Sequence, residues 1–146
     1  MKLHTASEGI TLAKKLENDS AKFYEVLAQR YNKDADTFLS FVTENKKNIT
    51  QIERAYYGVI TDAIEGGYAF DIDPADYTFK IAVAAGSKYA DILEQAVKME
   101  ERIIKFYLDA AEQSKSLMAD IPRAFMLVTR KREARRPKLM SLLKSH

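Results

Sequence analysis

The chain has no cysteine, which excludes disulfides, thiolate metal sites and a cysteine nucleophile and fits a reducing compartment. Histidine is nearly absent: His4 and His146 lie near the two ends and belong to no ligand motif. Five glycines and three prolines in 146 residues leave long stretches without either, which disfavours a turn-rich β fold and favours long helices. No apolar run approaches the roughly 18 residues needed to span a bilayer, and the N-terminus has no secretory h-region. A soluble cytoplasmic protein without membrane insertion is therefore expected. Phosphate-binding P-loops, dinucleotide glycine fingerprints, GxSxG and HExxH motifs are all missing.

What is present is a repeat. Residues 12–29 and 95–112 superpose with a shift of 83 positions, pairing Ala13 with Ala96, Lys15 with Lys98, Glu17 with Glu100, Lys22 with Lys105, Phe23 with Phe106, Tyr24 with Tyr107 and Ala28 with Ala111. Each copy holds a Glu and, two helical turns later on the same face, a Tyr. Both glutamates fall on apolar stripes, where a carboxylate is costly unless compensated.

Apolar periodicity places four helical segments. The first opens near Ser7 as N-cap with Glu8 in its first turn, and its inner stripe is Ile10, Ala13, Glu17, Ser20, Tyr24, Leu27 and Tyr31. After the polar break Asn32-Lys33-Asp34, the second runs from about Ala35 to Ile64 with Phe38, Phe41, Asn45, Asn48, Ile52, Ala55 or Tyr56, and Val59 inward. Gly66-Gly67 ends it. The third runs from Ser87 to about Ser114 with Leu93, Glu100, Ile103 or Ile104, and Tyr107 inward. The fourth opens with Asp120 as cap and turns Ile121, Phe125, Val128, Arg132, Arg135, Leu139 and Leu142 inward, and Pro137 kinks or interrupts it. Residues 65–86 carry too many apolar side chains (Tyr68, Phe70, Ile72, Tyr77, Phe79, Ile81) for a free linker. Asp71 and Asp73 lack EF-hand spacing and read as a turn around Pro74. A shift of 87 also aligns the second segment with the fourth, Asn45 meeting Arg132 and Asn48 meeting Arg135. The expectation is one all-α domain over 1–146: an antiparallel four-helix bundle of two helical hairpins, about 7–64 and 87–143, joined by a long crossover at 65–86.

This pattern resembles the rubrerythrin branch of the ferritin-like di-iron carboxylate proteins over nearly the whole chain. The text Gly67-Tyr68-Ala69-Phe70 followed by Asp73-Pro74 is similar to the crossover of small members lacking a rubredoxin domain. The resemblance implies a homodimer, and an iron site with one Glu on each of the first and third helices and a Glu-x-x-His on each of the second and fourth. Glu17 and Glu100 fill the first two positions, and Tyr24 and Tyr107 match the tyrosines that hydrogen-bond such carboxylates. The other positions depart: Asn45-x-x-Asn48 and Arg132-x-x-Arg135 stand where Glu-x-x-His belongs. Four of six ligands are replaced, two of them by guanidiniums that repel a cation.

The expectation is therefore a metal-free polar network of Glu17, Glu100, Arg132 and Arg135 with Asn45, Asn48, Tyr24 and Tyr107, no cofactor, and a binding, scaffold or regulatory role without catalysis. The blander alternative makes the glutamates surface residues, the tyrosines plain core aromatics and the arginines part of a solvated basic face. A second function is a di-iron oxidoreductase, peroxidase or iron-handling protein using Glu17 and Glu100 at an atypical site. A third rests on charge: residues 130–146 hold seven basic side chains and one acidic one, a local +6 against +2 for the chain. The cluster Arg130, Lys131, Arg132, Arg135, Arg136 and Lys138 then forms a basic patch for an anionic partner or nucleic acid.

Overall fold

In the computed structural model, residues 2–59, 70–79, 83, 86–116 and 119–145 are described. The fold is all-α. Helix α1 spans Ala6–Arg30, α2 Ala35–Val59, α3 Tyr89–Gln113, α4 Asp120–Glu133 and α5 Arg135–Lys144. Short 3₁₀ turns occupy Asn32–Asp34, Pro74–Asp76 and Ser114–Ser116. Among the described residues, the only β pairing is one isolated bridge between Leu3 and Ile72.

Three helix starts differ from the sequence expectation. The first N-cap is Thr5 rather than Ser7, because Thr5 and Glu8 form a reciprocal capping box. Glu8 N donates to Thr5 Oγ1 at 3.1 Å, and Thr5 N donates to Glu8 Oε1 at 3.1 Å. Backbone hydrogen bonds from Thr5 and then His4 hold the Glu8 carboxyl below its usual range. Helix α3 begins at Tyr89, not at Ser87, because Lys88 is extended (φ −74°, ψ 143°) and serves as the N-cap. Asp120 is the first helical residue rather than the cap, which is Ala119.

Pro137 interrupts the last helix by leaving the Glu133 carbonyl, four residues back, without its N–H. Helix α4 therefore stops at Glu133 and α5 starts at Arg135. The expected end of α2 at Gly66-Gly67, together with Ile64, Tyr68, Ile81 and His146, lies outside the described residues, as does the side chain of Val59.

Contacts across the core give the helix directions. Tyr24 packs on Phe38 and Phe41, with ring centroids 6.1 and 5.0 Å apart, while Lys14 meets Glu53 at the other end, so α1 and α2 are antiparallel. Tyr107 packs on Phe125 at 5.8 Å while Glu101 meets Arg136, so α3 runs antiparallel to α4 and α5. Gln51 meets Lys131 while Phe41 meets Arg135, which sets α2 antiparallel to the last two helices. The C-terminal end of α2 and the N-terminal end of α3 therefore lie at opposite ends of the bundle.

Residues 70–79 lie along α1 and α3. Phe70 N donates to His4 O at 3.0 Å, Asp71 N to Gln113 Oε1 at 2.6 Å, and Arg102 Nη1 to Asp76 O at 3.0 Å. Phe70, Ile72 and Tyr77 are buried. Tyr77 seats its ring on Phe106 and donates to Asp109 Oδ2 at 2.6 Å. Gly9 is where this segment comes closest: a Cβ there would sit 2.7 Å from Phe70 Cδ2 and nearer still to Cε2.

Candidate functional site

The inner stripes of the helices are apolar at both ends and polar in the middle. Glu17, Ser20, Asn45, Asn48, Glu100 and Arg132 are 0% exposed, and Arg135 is 1% exposed. Isolated ions in such a place would be prohibitively costly, so their partners decide whether the arrangement stands.

Arg132 bridges the repeat. Its Nε and Nη2 reach Glu17 Oε2 at 2.9 and 2.7 Å, and its Nη1 donates to Glu100 Oε1 at 2.6 Å. One planar guanidinium thus holds the carboxylates of both copies. Arg135, one helical turn on, donates from Nη1 to Glu100 Oε2 at 3.2 Å and from Nη2 to Asn45 Oδ1 at 2.6 Å and Phe41 O at 3.2 Å. Its Nε donates to Glu44 Oε1 at 2.9 Å, and Glu44 leads from the core to the surface with 32% of its side chain exposed. The guanidinium lies over the Phe41 ring, 4.9 Å from its centroid.

The tyrosines cross over. Tyr24 on α1 donates to Glu100 Oε2 on α3 at 2.6 Å, and Tyr107 on α3 donates to Glu17 Oε2 on α1 at 2.8 Å. Each tyrosine thus serves the glutamate of the other repeat copy. Asn48 Nδ2 donates to Glu17 Oε1 at 2.9 Å, and Asn45 Nδ2 donates to Ser20 Oγ at 3.3 Å. Among the described residues, Asn48 Oδ1 is the one buried side-chain polar atom without a partner.

These contacts set the charge states. Burial pushes Glu100 up, but the guanidiniums of Arg132 and Arg135 and the Tyr24 hydroxyl outweigh it, and the carboxyl sits below its usual range. Burial, and then Glu100 and Glu17 respectively, push Tyr24 and Tyr107 well above the normal phenol range, so both remain neutral donors. Burial weakens the charge on Arg132, yet Glu100 and Glu17 more than offset it and raise its pKa. Two carboxylates face two guanidiniums, and the partly exposed Glu44 adds one further negative charge.

All eight residues singled out for a polar network meet here. Ser20, already placed on the first inner stripe, accepts from Asn45, whereas Glu44 and the Phe41 carbonyl join without a sequence signal: Glu44 stands one position off the stripe, and a main-chain carbonyl carries no such mark. The expected basic patch is corrected. Arg132 and Arg135 lie in the core, not on the surface, because the two carboxylates and Asn45 supply their partners. Arg136 pairs with Glu101 at 3.4 Å, Lys138 lies 5.9 Å from the Phe41 ring centroid, and Lys131 donates to Gln51 Oε1 at 3.3 Å.

The donor set does not fit a di-iron centre. Every oxygen of Glu17 and Glu100 already accepts from an amide, a phenol or a guanidinium, and the positions facing them are amides and guanidiniums rather than imidazoles. A cation there would have to displace Arg132 from both carboxylates. The Tyr24 and Tyr107 hydroxyls each donate to a carboxylate that a guanidinium also holds. No family model, curated protein or solved structure matches the chain.

Proposed function

We propose that the chain is a ferritin-like four-helix bundle of rubrerythrin type, with a long crossover between α2 and α3, in which an ion-pair network stands in place of a di-iron centre. Its role is non-catalytic: a rigid binding, scaffold or regulatory module. The observation that carries this reading is the Arg132 guanidinium held by Glu17 and Glu100 together, since a cation already fills the position between the carboxylates. The antiparallel helix directions and the opposite-end placement of α2 and α3 support the topology. The burial of every charged group in the cluster except Glu44 supports the absence of catalysis, because a substrate would have no path to them. A side-by-side homodimer in the cytoplasm belongs to the same reading, and sedimentation equilibrium tests the dimer.

Metal analysis tests the main point. Protein produced under iron supply is expected to carry only trace iron, to show no near-ultraviolet ligand-to-metal band, and to melt at the same temperature with added Fe(II) or with a chelator, because a ligand of the native state alone would raise Tm. Stoichiometric iron with a chelator-sensitive Tm would instead establish the oxidoreductase or iron-handling reading.

A further inference from the structure

A second concentration of charge lies on the surface between α2 and α4, separate from the buried cluster. A concavity of about 420 Å³ is lined by Lys47, Thr50, Gln51 and Arg54 of α2 and by Lys131 of α4. Positions 47, 50, 51 and 54 are spaced three, four and seven apart, so they share one helical face. Lys131 reaches over from α4 and donates to Gln51 Oε1 at 3.3 Å, which fixes its ammonium at this concavity.

Three cations line it and no carboxylate does. Several surface cations elsewhere are paired: Lys14 with Glu53, Lys15 with Asp19, Lys105 with Asp109, Lys115 with Glu112, Arg123 with Asp120 and Arg136 with Glu101. Among the described residues, Lys47, Arg54 and Lys131 have no carboxylate within 4.0 Å. Like charges gathered in a concave wall of low dielectric focus a positive potential that an anion relieves.

We propose that this α2–α4 pocket binds a small phosphorylated anion of the di- or triphosphate class. Such a ligand carries the two to four negative charges that three cations match, and the Gln51 amide adds a neutral donor. Its volume falls within the roughly 300–1,000 Å³ common for small-molecule sites. A nucleic-acid strand fits less well, because it needs a stripe of cations. The run 130–138 is no such stripe once Arg132 and Arg135 are buried and Arg136 is paired.

Isothermal titration of the full chain with inorganic pyrophosphate, at ionic strength fixed with NaCl, tests the proposal. One saturable site per chain is expected, with affinity falling about tenfold in each of Arg54→Gln and Lys131→Gln, the order of one lost charge-assisted hydrogen bond. Lys105→Gln, on another face, should leave it unchanged. A nucleoside triphosphate competing at similar concentration places the shared recognition in the phosphates, whereas tighter binding of the nucleotide assigns the natural source to a nucleotide. Absence of saturable binding to the wild-type chain overturns the proposal, as does equal weakening by Lys105→Gln. A single-stranded oligonucleotide that binds more tightly per phosphate than pyrophosphate overturns the small-ligand assignment.

Discussion

Arg132 and Glu100 depend on each other more than either depends on its helix. Removing one member of a buried ion pair strands the other, at a cost of about 3–5 kcal/mol. Glu100→Ala is therefore expected to lower stability by that order in urea unfolding. The adjacent Glu101→Ala should cost less than about 0.5 kcal/mol, because its pair with Arg136 is half exposed on both sides. Protonation gives a second test. The Glu100 pKa is lower in the folded state than in the unfolded one, so its contribution is complete above about pH 4.5 and is lost as pH falls through the depressed value. Tyr24 and Tyr107 are shifted the other way, as are Tyr77 beside Asp109 and Tyr89 beside Asp34. Above about pH 10 the unfolded chain gives up phenolic protons that the folded chain keeps, so stability should fall as pH rises further. Tm measured from pH 8 to 11 should drop more steeply in the wild type than in a Tyr24→Phe, Tyr107→Phe variant.

At the scale of the elements, helix starts and close approaches set the measurable differences. The Thr5–Glu8 capping box predicts a loss of about 1 kcal/mol for Thr5→Ala by chemical denaturation. Two helical glycines should respond with opposite signs. A Cβ at Gly58 meets nothing within 4 Å, so Gly58→Ala should stabilise by about 0.5 kcal/mol through helix propensity. A Cβ at Gly9 collides with the ring of Phe70, which is buried and packed near Phe125. Overpacking of this kind costs about 1–3 kcal/mol, more than the propensity gain, so Gly9→Ala should lower Tm. Pro137 acts on the same scale. It separates α4 from α5 between the two arginines, so Arg132 lies in the last turn of one helix and Arg135 begins the next, yet both reach Glu100.

For the whole molecule, the cost of burying four charges sits against the pairing that satisfies them, and such networks often only break even with an apolar core. Replacing Glu17, Glu100, Arg132, Arg135, Asn45 and Asn48 by Leu or Met, with both tyrosines changed to Phe, is therefore expected to give a chain at least as stable as the wild type in urea. A large loss would mean that the network stabilises the fold outright. Among the described residues no helix is long and apolar enough to cross a membrane. The sequence by itself determined the helices and their inner faces, because a period of 3.6 residues assigns each side chain to a face wherever the helix packs. Glu17, Asn45, Glu100 and Arg132 could be placed on buried stripes for that reason, and scarce glycine and proline already argued for an all-α chain. Period is silent about which face meets which, and at what height. Only the tertiary structure decided that Tyr24 serves Glu100 and Tyr107 serves Glu17, residues 76 and 90 positions apart. It also decided which carboxylates hold Arg132 and Arg135, drew in Glu44 from outside the stripe, and set Lys131 beside Arg54 and Lys47. The physical reason is the same each time: hydrogen bonds and ion pairs act over about 3 Å, and only the packing of one helix on another brings distant residues that close.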